Sequence, residues 1–445
     1  MAHTRSLLWK LNLQASSQAG RMGRRGVPIP TRLPHLYAKT KEYSSTANKM
    51  AEWRTKVPVP KQLLEPLDLP SVHLFGPGPA NPSLRTYNAH AMPLLGHLHP
   101  EFCKVMDETK AGLKYVFQTN NAYTLAITGS GHAAMEAAIM NLVERGERIL
   151  VCVNGLWGNR ARDIAERQGC DVQAIEKPPG EYHTYGEIEQ GLKDYKPSVL
   201  FLVHSESSSG ICQPLDGIGA LCHRYNCLII VDTVASLGGT PFFTDDWDLD
   251  CVYTGSQKCL GAPPGISPIT FSPRAIAKVN SREFKVPSFY LDIKELGNYW
   301  GCDEGPRRYQ HTGAVSLVYA LRESLAQIAE EGLENSWKRH HNTIEHLWAG
   351  LEEMGLRMFV KDKAMRLPTV TSIRIPEGFP DWKAVPTYLM KKHKIELVGG
   401  LGPTLGKVWR VGFMGHNSSL ENVDKFLRLF KEALEAVKNR PKSQI

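Results

Sequence analysis

The sequence predicts an α/β fold in which helices cover a mainly parallel sheet, followed by a smaller C-terminal α+β domain. Short apolar segments alternate with helical periodicities between Tyr123 and Val231, and this alternation is typical of a parallel sheet with helices on both faces. Two predicted strands place Asp232 and Lys258 at their carboxyl ends, where α/β proteins bind ligands. The alternation stops near residue 330, where longer helices and two isolated strands begin.

Individual elements follow from local periodicity and from the small residues between the segments. Predicted strands cover 123–128, 149–153, 199–203, 228–231 and 251–253, and helices cover 100–118, 133–142, 160–168 and 215–225. We expect residues 154–158, Asn-Gly-Leu-Trp-Gly, to form a loop. In the C-terminal part, helices are predicted at 316–331, 335–354 and 420–438, with strands at 369–374 and 407–412.

The domain boundaries come from composition. We predict a presequence at 1–50, an extended arm at 51–73, a large domain at 74–330 and a small domain at 331–445. The arm is predicted because Pro58, Pro60, Pro66 and Pro70 disfavour helix. Such an arm packs over another surface, for which a second subunit is one candidate.

Charge is distributed unevenly along the chain. The net charge is +8, yet residues 1–50 hold nine Lys or Arg and one acid, Glu42. Of the totals of 53 basic and 45 acidic residues, 44 of each remain in the rest of the chain. A neutral body argues against a nucleic-acid-binding surface, and no apolar run is long enough to predict a membrane-spanning helix.

The N-terminal 50 residues have the composition of a mitochondrial presequence. They are rich in Arg and Ser, and residues 6–13 can form a short amphipathic helix with Lys10 on its polar side. The mitochondrial matrix is therefore the predicted location, and an untargeted tail is the alternative. A product starting at Met50 would leave a peroxisomal or cytosolic form open, although the C-terminus lacks an SKL-type ending.

Nine cysteines are scattered singly, at positions 103, 152, 170, 212, 222, 227, 251, 259 and 302. Because they form no CxxC pair and are odd in number, they fit neither a disulfide framework nor a zinc site. We expect reduced thiols in a reducing compartment and no metal.

Two turns have the composition of ligand-binding loops. The first, Gly76-Pro77-Gly78-Pro79, combines flexible and rigid residues, so that the backbone can approach a ligand closely. In the second, Gly129-Ser130-Gly131-His132 lies between a strand and a helix, where free N–H groups can bind an anion. The second pattern alone also fits an ordinary helix cap.

Eight segments taken together make the chain resemble the class-V, fold-type I pyridoxal-phosphate aminotransferases. In order they are LFGPGPAN, TGSGHAAMEAA, NGLWGNRA, HSESSSG, IIVDTVASLGGTP, TGSQKCLGAPPG, RYQHTG and WRVGFMG. The resemblance covers residues 74–437 and implies a seven-stranded sheet, a homodimer and pyridoxal 5′-phosphate as the cofactor. Each segment is weakly specific, whereas their shared order is highly specific.

The resemblance assigns three residues to the chemistry. Lys258 matches the lysine that bonds to the cofactor aldehyde and moves the substrate Cα proton. Asp232 matches the carboxylate that pairs with the pyridine nitrogen, and Trp157 matches the aromatic residue that stacks on the cofactor ring. From its own context Trp157 fits core packing as well.

Other positions match cofactor and substrate ligands of the family. Ser130, Gly131, His132 and Gln257 match the phosphate site, and Ser207 matches a residue that contacts the cofactor. Tyr309 and Thr312 match positions that reach the phosphate of the neighbouring subunit, which implies active sites shared across the homodimer. Arg410 matches the arginine that binds the substrate carboxylate, and Gly76 matches the wall beside small substrates.

The implied reaction transfers the amino group of alanine to glyoxylate, giving pyruvate and glycine and removing glyoxylate. Serine with pyruvate is the second implied pair, so the partners are small amino and keto acids. Transamination of 3-hydroxykynurenine is the main alternative within the family. A cysteine desulfurase fits less well because Gln257 and Trp157 stand where that group has histidines, and an inactive scaffold is disfavoured by Lys258, Asp232 and Arg410.

Overall fold

The computed structural model describes residues 57–439, and the chain divides into two units, Met1–Leu69 and Pro70–Ile445. The described part of the first unit has one 3₁₀ turn, Lys61–Leu64, and its valines and leucines are exposed. The predicted presequence and residues 51–56 of the predicted arm lie outside the described residues. The role of the arm therefore stays a prediction.

A seven-stranded sheet forms the centre of the second unit. Its strands are β1 (Tyr123–Thr128), β2 (Arg148–Val153), β3 (Asp171–Glu176), β4 (Val199–Val203), β7 (Leu228–Asp232), β8 (Cys251–Tyr253) and β9 (Ile266–Phe271), in the order β1-β9-β8-β7-β4-β2-β3. Six strands run in one direction and β9 runs opposite to them. This confirms the predicted mainly parallel sheet. A two-stranded ribbon joins β5 (Ser205–Glu206) to β6 (Ile211–Cys212).

Helices connect most of these strands and cover the sheet. They are α1 (Leu84–His90), α2 (Pro100–Phe117), α3 (Gly131–Leu142), α4 (Leu156–Arg167), α5 (Tyr185–Tyr195), α6 (Ile218–Arg224), α7 (Pro273–Asn280), α8 (Ile293–Trp300) and α9 (Val315–Glu331). Every residue of β4 and β7 is buried, as expected for central parallel strands covered on both faces. The main apolar core lies between the sheet and these helices.

A second apolar core surrounds a three-stranded antiparallel sheet. Its strands are β10 (Val370–Arg374), β11 (Val398–Gly399) and β12 (Val408–Gly412), in the order β10-β12-β11. The helices beside it are α10 (Leu333–Glu353), α11 (Ala384–Tyr388) and α12 (Leu420–Lys438), and a π-helical turn, Leu389–His393, follows α11. The α+β character is as predicted, while the boundary at residue 330 stays a prediction.

Several elements differ from the sequence prediction. Helix α4 begins at Leu156, so Trp157 lies in its first turn. The predicted loop at 154–158 is confirmed for Asn154 and Gly155 and is wrong for residues 156–158. Gly155 and Gly158 favour a loop locally, and a contact from a distant segment overrides that preference, as described below. Strand β9 was not predicted because Pro268 lies inside it and proline is rare in central strands. Proline has no N–H to donate, but the Pro268 carbonyl still accepts a hydrogen bond from the Thr254 N–H at 2.9 Å.

Candidate active site

A cavity of about 320 Å³ lies where the sheet strands end at their carboxyl termini. Parallel strands bring these termini to one edge, so residues distant in sequence meet there. The lining residues are Pro77, Gly78, Ser130, Gly131, His132, Met135, Trp157, Ser205, Ser207, Asp232, Val234, Ala235, Gln257, Lys258, Leu401 and Arg410. Nine of the twelve predicted site residues therefore lie in one place. The other three are Gly76, Tyr309 and Thr312.

Lys258 stands in the cavity wall opposite the Gly76–Pro79 loop. Its amine donates a hydrogen bond to the Pro77 carbonyl, and burial lowers its pKa to about 8. The neighbouring Arg410 also lowers this pKa, whereas Asp232 and Glu396 raise it. Gly78 has a φ of +105°, and a Cβ there would lie 2.4 Å from Nζ, so only glycine leaves room for the amine.

Asp232 ends strand β7 and is buried beside the cavity. Its Oδ1 accepts the Val234 N–H at 2.8 Å and its Oδ2 accepts the Tyr253 hydroxyl at 2.7 Å. Burial raises its pKa to about 6, although both hydrogen bonds oppose that shift. Because a pKa of about 6 still leaves the carboxylate mostly ionised at pH 7, it can pair with a protonated ring nitrogen. From the sequence Tyr253 is predicted only as part of the strand at 251–253, and its hydrogen bond to Asp232 is evident only in the structure.

The N-terminus of helix α3 faces the same cavity. Ser130 is the N-cap residue, but its hydroxyl makes no capping hydrogen bond and is available to a ligand. Ser130, Gly131 and His132 all line the cavity, and Gln257 lines it as well. The free N–H groups of a helix N-terminus favour an anion, so these residues could hold a phosphate.

Trp157 is held from both of its ends. Its backbone N–H donates to Glu206 Oε2 at 2.9 Å, and its indole N–H donates to Ser207 Oγ at 2.9 Å. The ring of His132 lies edge-on to the indole, with centroids 5.6 Å apart and planes 68° from parallel. Glu206, which fixes this arrangement, was not singled out from the sequence.

Arg410 enters from strand β12 and is 6% exposed. Its Nε donates to the Gly399 carbonyl at 3.0 Å, and its Nη1 donates to the Ser207 carbonyl at 3.2 Å. Burial lowers its pKa to about 10, and Glu206 opposes that shift. A buried guanidinium facing a cavity suits recognition of a carboxylate.

Three predicted site residues lie elsewhere in this chain. Gly76 donates its N–H to Glu396 Oε2 at 3.2 Å, and its neighbours Pro77 and Gly78 line the cavity in its place. Tyr309 is 58% exposed, and its hydroxyl lies 3.3 Å from Thr312 Oγ1. Thr312 is exposed too, so a single chain does not bring this pair into its own cavity.

Within residues 57–439 the cavity fits a planar, phosphorylated, aldehyde-bearing cofactor. Lys258 offers an amine of lowered pKa, Asp232 a buried carboxylate, Trp157 an aromatic face and Ser130 an unused hydroxyl at a helix N-terminus. These are the groups that such a cofactor requires for its aldehyde, ring nitrogen, ring face and phosphate.

Among residues 57–439, none of the helices has both the length and the apolar composition that a membrane span needs.

Comparison with solved structures defines the class of protein. An alanine–glyoxylate aminotransferase from Nostoc sp. superposes with a TM-score of 0.83 at 48% identity, covering 85% of this chain and all of that one. The fold, with its lysine and aspartate at the carboxyl edge of a mostly parallel sheet, is the fold-type I aminotransferase fold.

The chain belongs to the class-V aminotransferases. The family described as Aminotransferase class-V matches residues 80–426. An alanine–glyoxylate aminotransferase from Callithrix jacchus is 52% identical over 386 residues, which are 87% of this chain and 93% of the relative. The (S)-ureidoglycine–glyoxylate transaminase of Bacillus subtilis is 34% identical over 79% of this chain and 87% of its own length. These matches confirm the resemblance inferred from the eight segments.

Proposed function

We propose that this chain transfers the amino group of alanine to glyoxylate with pyridoxal 5′-phosphate as the cofactor. The observation that carries the proposal is the cavity in which Lys258, Asp232, Trp157 and Arg410 converge. Relatives of this chain that are named alanine–glyoxylate aminotransferase support the choice of substrates. The expected products are pyruvate and glycine.

The cofactor supplies an aldehyde that bonds to amines and a ring that withdraws electrons from the substrate Cα. Lys258 would hold the aldehyde at rest, Asp232 would pair with the ring nitrogen and Trp157 would pack on the ring face. The phosphate would be bound by Ser130, Gly131, His132 and Gln257, and Ser207 would contact the cofactor. Gly78 leaves the space that the Lys258 amine needs.

Proton movement at the substrate is the task of Lys258. The substrate amine would first displace Lys258 from the aldehyde, which leaves the lysine amine free. With a pKa of about 8, a fraction of that amine is uncharged near neutral pH and could carry the Cα proton of alanine to the former aldehyde carbon. In the second half of the reaction the same amine returns a proton to the carbon that becomes Cα of glycine. Arg410 holds the substrate carboxylate throughout, so that the Cα–H bond stays directed at Lys258.

Other amino donors remain to be compared with alanine. Serine with pyruvate is the second proposed pair, and 3-hydroxykynurenine is the alternative donor. A desulfurase is disfavoured because none of the nine cysteines, all within residues 57–439, lines the cavity. Cys212 Sγ lies 3.5 Å from His204 Nε2, but burial raises the thiol pKa to about 12 and lowers the His204 pKa to about 4. Both groups are therefore neutral and unsuited to nucleophilic attack.

A homodimer with shared active sites is part of the proposal. Its support is the exposure of Tyr309 and Thr312, which match family positions that reach the partner's phosphate. The exposed apolar side chains of segment 57–69, including Leu63, Leu67 and Leu69, are suited to pack on a second subunit.

The location and the domain limits are proposed from the sequence. Residues 1–50 direct the chain to the mitochondrial matrix, 74–330 form the cofactor domain and 331–445 form the small domain. N-terminal sequencing of the protein from isolated mitochondria should show a chain that begins well after Met1. An intact Met1 in a cytosolic fraction would contradict the targeting proposal.

The test of function is a half-reaction survey. Purified protein loaded with pyridoxal phosphate is mixed separately with alanine, serine and 3-hydroxykynurenine, and the loss of its long-wavelength absorbance is followed. Alanine should react fastest, and glyoxylate should then restore the original spectrum. Lys258→Ala should retain bound cofactor but lose the reaction, while Lys294→Ala, at an exposed lysine on helix α8, should behave as wild type. Normal turnover by Lys258→Ala would refute the assignment.

A further inference from the structure

Glu206 is a fully buried carboxylate directly behind the cavity wall. It belongs to the short strand β5 and has no exposed surface. It does not line the cavity itself. An isolated carboxylate is expensive to bury, so its presence here needs compensating contacts.

Those contacts come from two segments of the chain. Oε2 accepts the Trp157 N–H at 2.9 Å. Oε1 accepts the Ser208 N–H at 3.0 Å and the Ser208 hydroxyl at 2.5 Å. These three hydrogen bonds favour the ionised carboxylate and oppose burial, which raises the pKa of Glu206.

The first of these donors, the Trp157 N–H, belongs to the N-terminus of helix α4. The N-cap residue of this helix, Gly155, has no side chain to cap it, and a Cβ at this position would lie 2.3 Å from the Glu206 carboxyl carbon. Glu206 therefore occupies the place of a capping side chain, supplied from a later part of the sequence. A negative charge at this end is also favoured by the helix dipole.

Ser208 ties the same group more firmly to the helix. Its Oγ accepts the Leu156 N–H at 3.0 Å while its hydroxyl proton goes to Glu206. The N–H groups of Leu156 and Trp157 are thus bound by Ser208 and Glu206. Because Ser207 between them receives the Trp157 indole N–H, the indole is fixed relative to one short segment.

The charge of Glu206 also acts on the substrate side of the cavity. Ser207, next in sequence, accepts a hydrogen bond from Arg410 through its carbonyl. Glu206 favours the charged form of Arg410 and disfavours that of Asp232. A buried anion near a buried guanidinium partly offsets the cost of desolvating both.

We propose that Glu206 is a positioning residue, which caps helix α4 so that the Trp157 indole is held against the bound cofactor ring. The proposal rests on the proposed use of pyridoxal phosphate and deepens it, because it concerns how the protein prepares the ring-binding face. It does not depend on which amino acid is the donor.

The test measures the affinity of the cofactor-free protein for pyridoxal phosphate. Glu206→Gln keeps the shape of the side chain but turns an NH₂ group toward N–H donors, so the first turn of α4 should loosen. We expect the dissociation constant for pyridoxal phosphate to rise at least tenfold. Asp250→Asn is the matched control, because Asp250 is also a buried carboxylate that accepts backbone and side-chain hydrogen bonds and lies outside the cavity lining.

A double-mutant cycle separates positioning from general destabilisation. In a Trp157→Phe background, Glu206→Gln should raise the dissociation constant less than threefold, because the indole that it positions is already gone. An equal factor in both backgrounds, or unchanged affinity in Glu206→Gln, would overturn the proposal. An Asp250→Asn variant with the same loss of affinity would overturn it too.

A second variant covers the case in which Glu206→Gln does not fold. Ser208→Ala keeps the carboxylate but removes its link to Leu156, and it should weaken cofactor binding with the same dependence on Trp157. No weakening, or weakening independent of Trp157, would contradict the proposal. Because binding is read from the cofactor spectrum, a protein that binds the cofactor but transaminates other substrates would disprove the proposed function without affecting this test.

Discussion

At the scale of a single residue, the burial of Lys258 lowers the stability of the folded protein and at the same time supplies an uncharged amine for catalysis. Burial disfavours the charged amine and lowers its pKa to about 8, against an ordinary value of 10.5. The same shift makes an uncharged amine available near neutral pH. At pH 7 the folded protein must therefore hold a charged amine in a place that resists it.

Lys258→Met is expected to stabilise the cofactor-free protein at pH 7. The difference between the two pKa values corresponds to at most about 3 kcal/mol, and the part of the side chain that faces the cavity reduces it. The penalty is complete below pH 8, where the amine is charged in both states. It disappears as the pH rises from 8 to 10.5, because the folded protein releases its proton first.

Urea unfolding at pH 7 and pH 9.5 measures this effect. The free energy of unfolding gained by the substitution should fall to less than half between the two pH values. Lys294→Met, at an exposed lysine, should show no comparable dependence. A loss of stability at both pH values would contradict the sign of the argument.

At the scale of an element, the first turn of helix α4 links the packing of the fold to the position of Trp157. This turn carries Trp157 and lies directly against strand β2. A Cβ at Gly158 would be 2.6 Å from the Cys152 carbonyl oxygen and 3.0 Å from the Val153 Cα. Since both atoms belong to the backbone of β2, neither can move cheaply.

Gly158→Ala is expected to lower the free energy of unfolding by about 1 to 3 kcal/mol and to weaken cofactor binding by displacing Trp157. Gly186→Ala is the control within helix α5, where an added Cβ meets no atom within 4 Å. That variant should gain about 0.5 to 1 kcal/mol, because alanine loses less backbone entropy in a helix. Chemical unfolding and cofactor titration would test both, and equal effects of the two substitutions would exclude a role for the β2 contact.

At the scale of the whole molecule, the question is whether a single chain can form a complete active site or needs residues of a second subunit. The cavity of one chain has a lysine, an aspartate, a tryptophan and an arginine, whereas Tyr309 and Thr312 lie exposed outside it. If these two residues complete the partner's phosphate site, each active site combines residues of two chains.

Complementation between two inactive variants tests this arrangement. Lys258→Ala and Tyr309→Ala chains should each be nearly inactive alone. After they are unfolded together and refolded, mixed dimers should contain one intact site, and about a quarter of the wild-type activity should return. Activity that stays at the level of the separate variants would place Tyr309 in its own chain's function or in none.

Much of the candidate site was predictable because it follows from local sequence. Asp232 and Ser130 each lie next to a strand whose apolar run is evident, and Lys258 follows another closely. Since parallel strands end at one edge, such residues must come together. Helix α4 was predicted with too late a start because Gly155 and Gly158 disfavour helix locally. Its first turn depends on a carboxylate some 50 positions away, which no local pattern records.

The sequence by itself determined the fold class, the family and nine of the residues that line the cavity, because periodicity, turns and the order of the motifs can be read along the chain. Only the tertiary structure decided how those residues are tuned. The pKa of Lys258 depends on burial and on Arg410 and Asp232, and the position of Trp157 depends on Glu206 and Ser207. Burial and long-range hydrogen bonds arise only when distant segments pack together, which is why the supporting residues emerged from the structure.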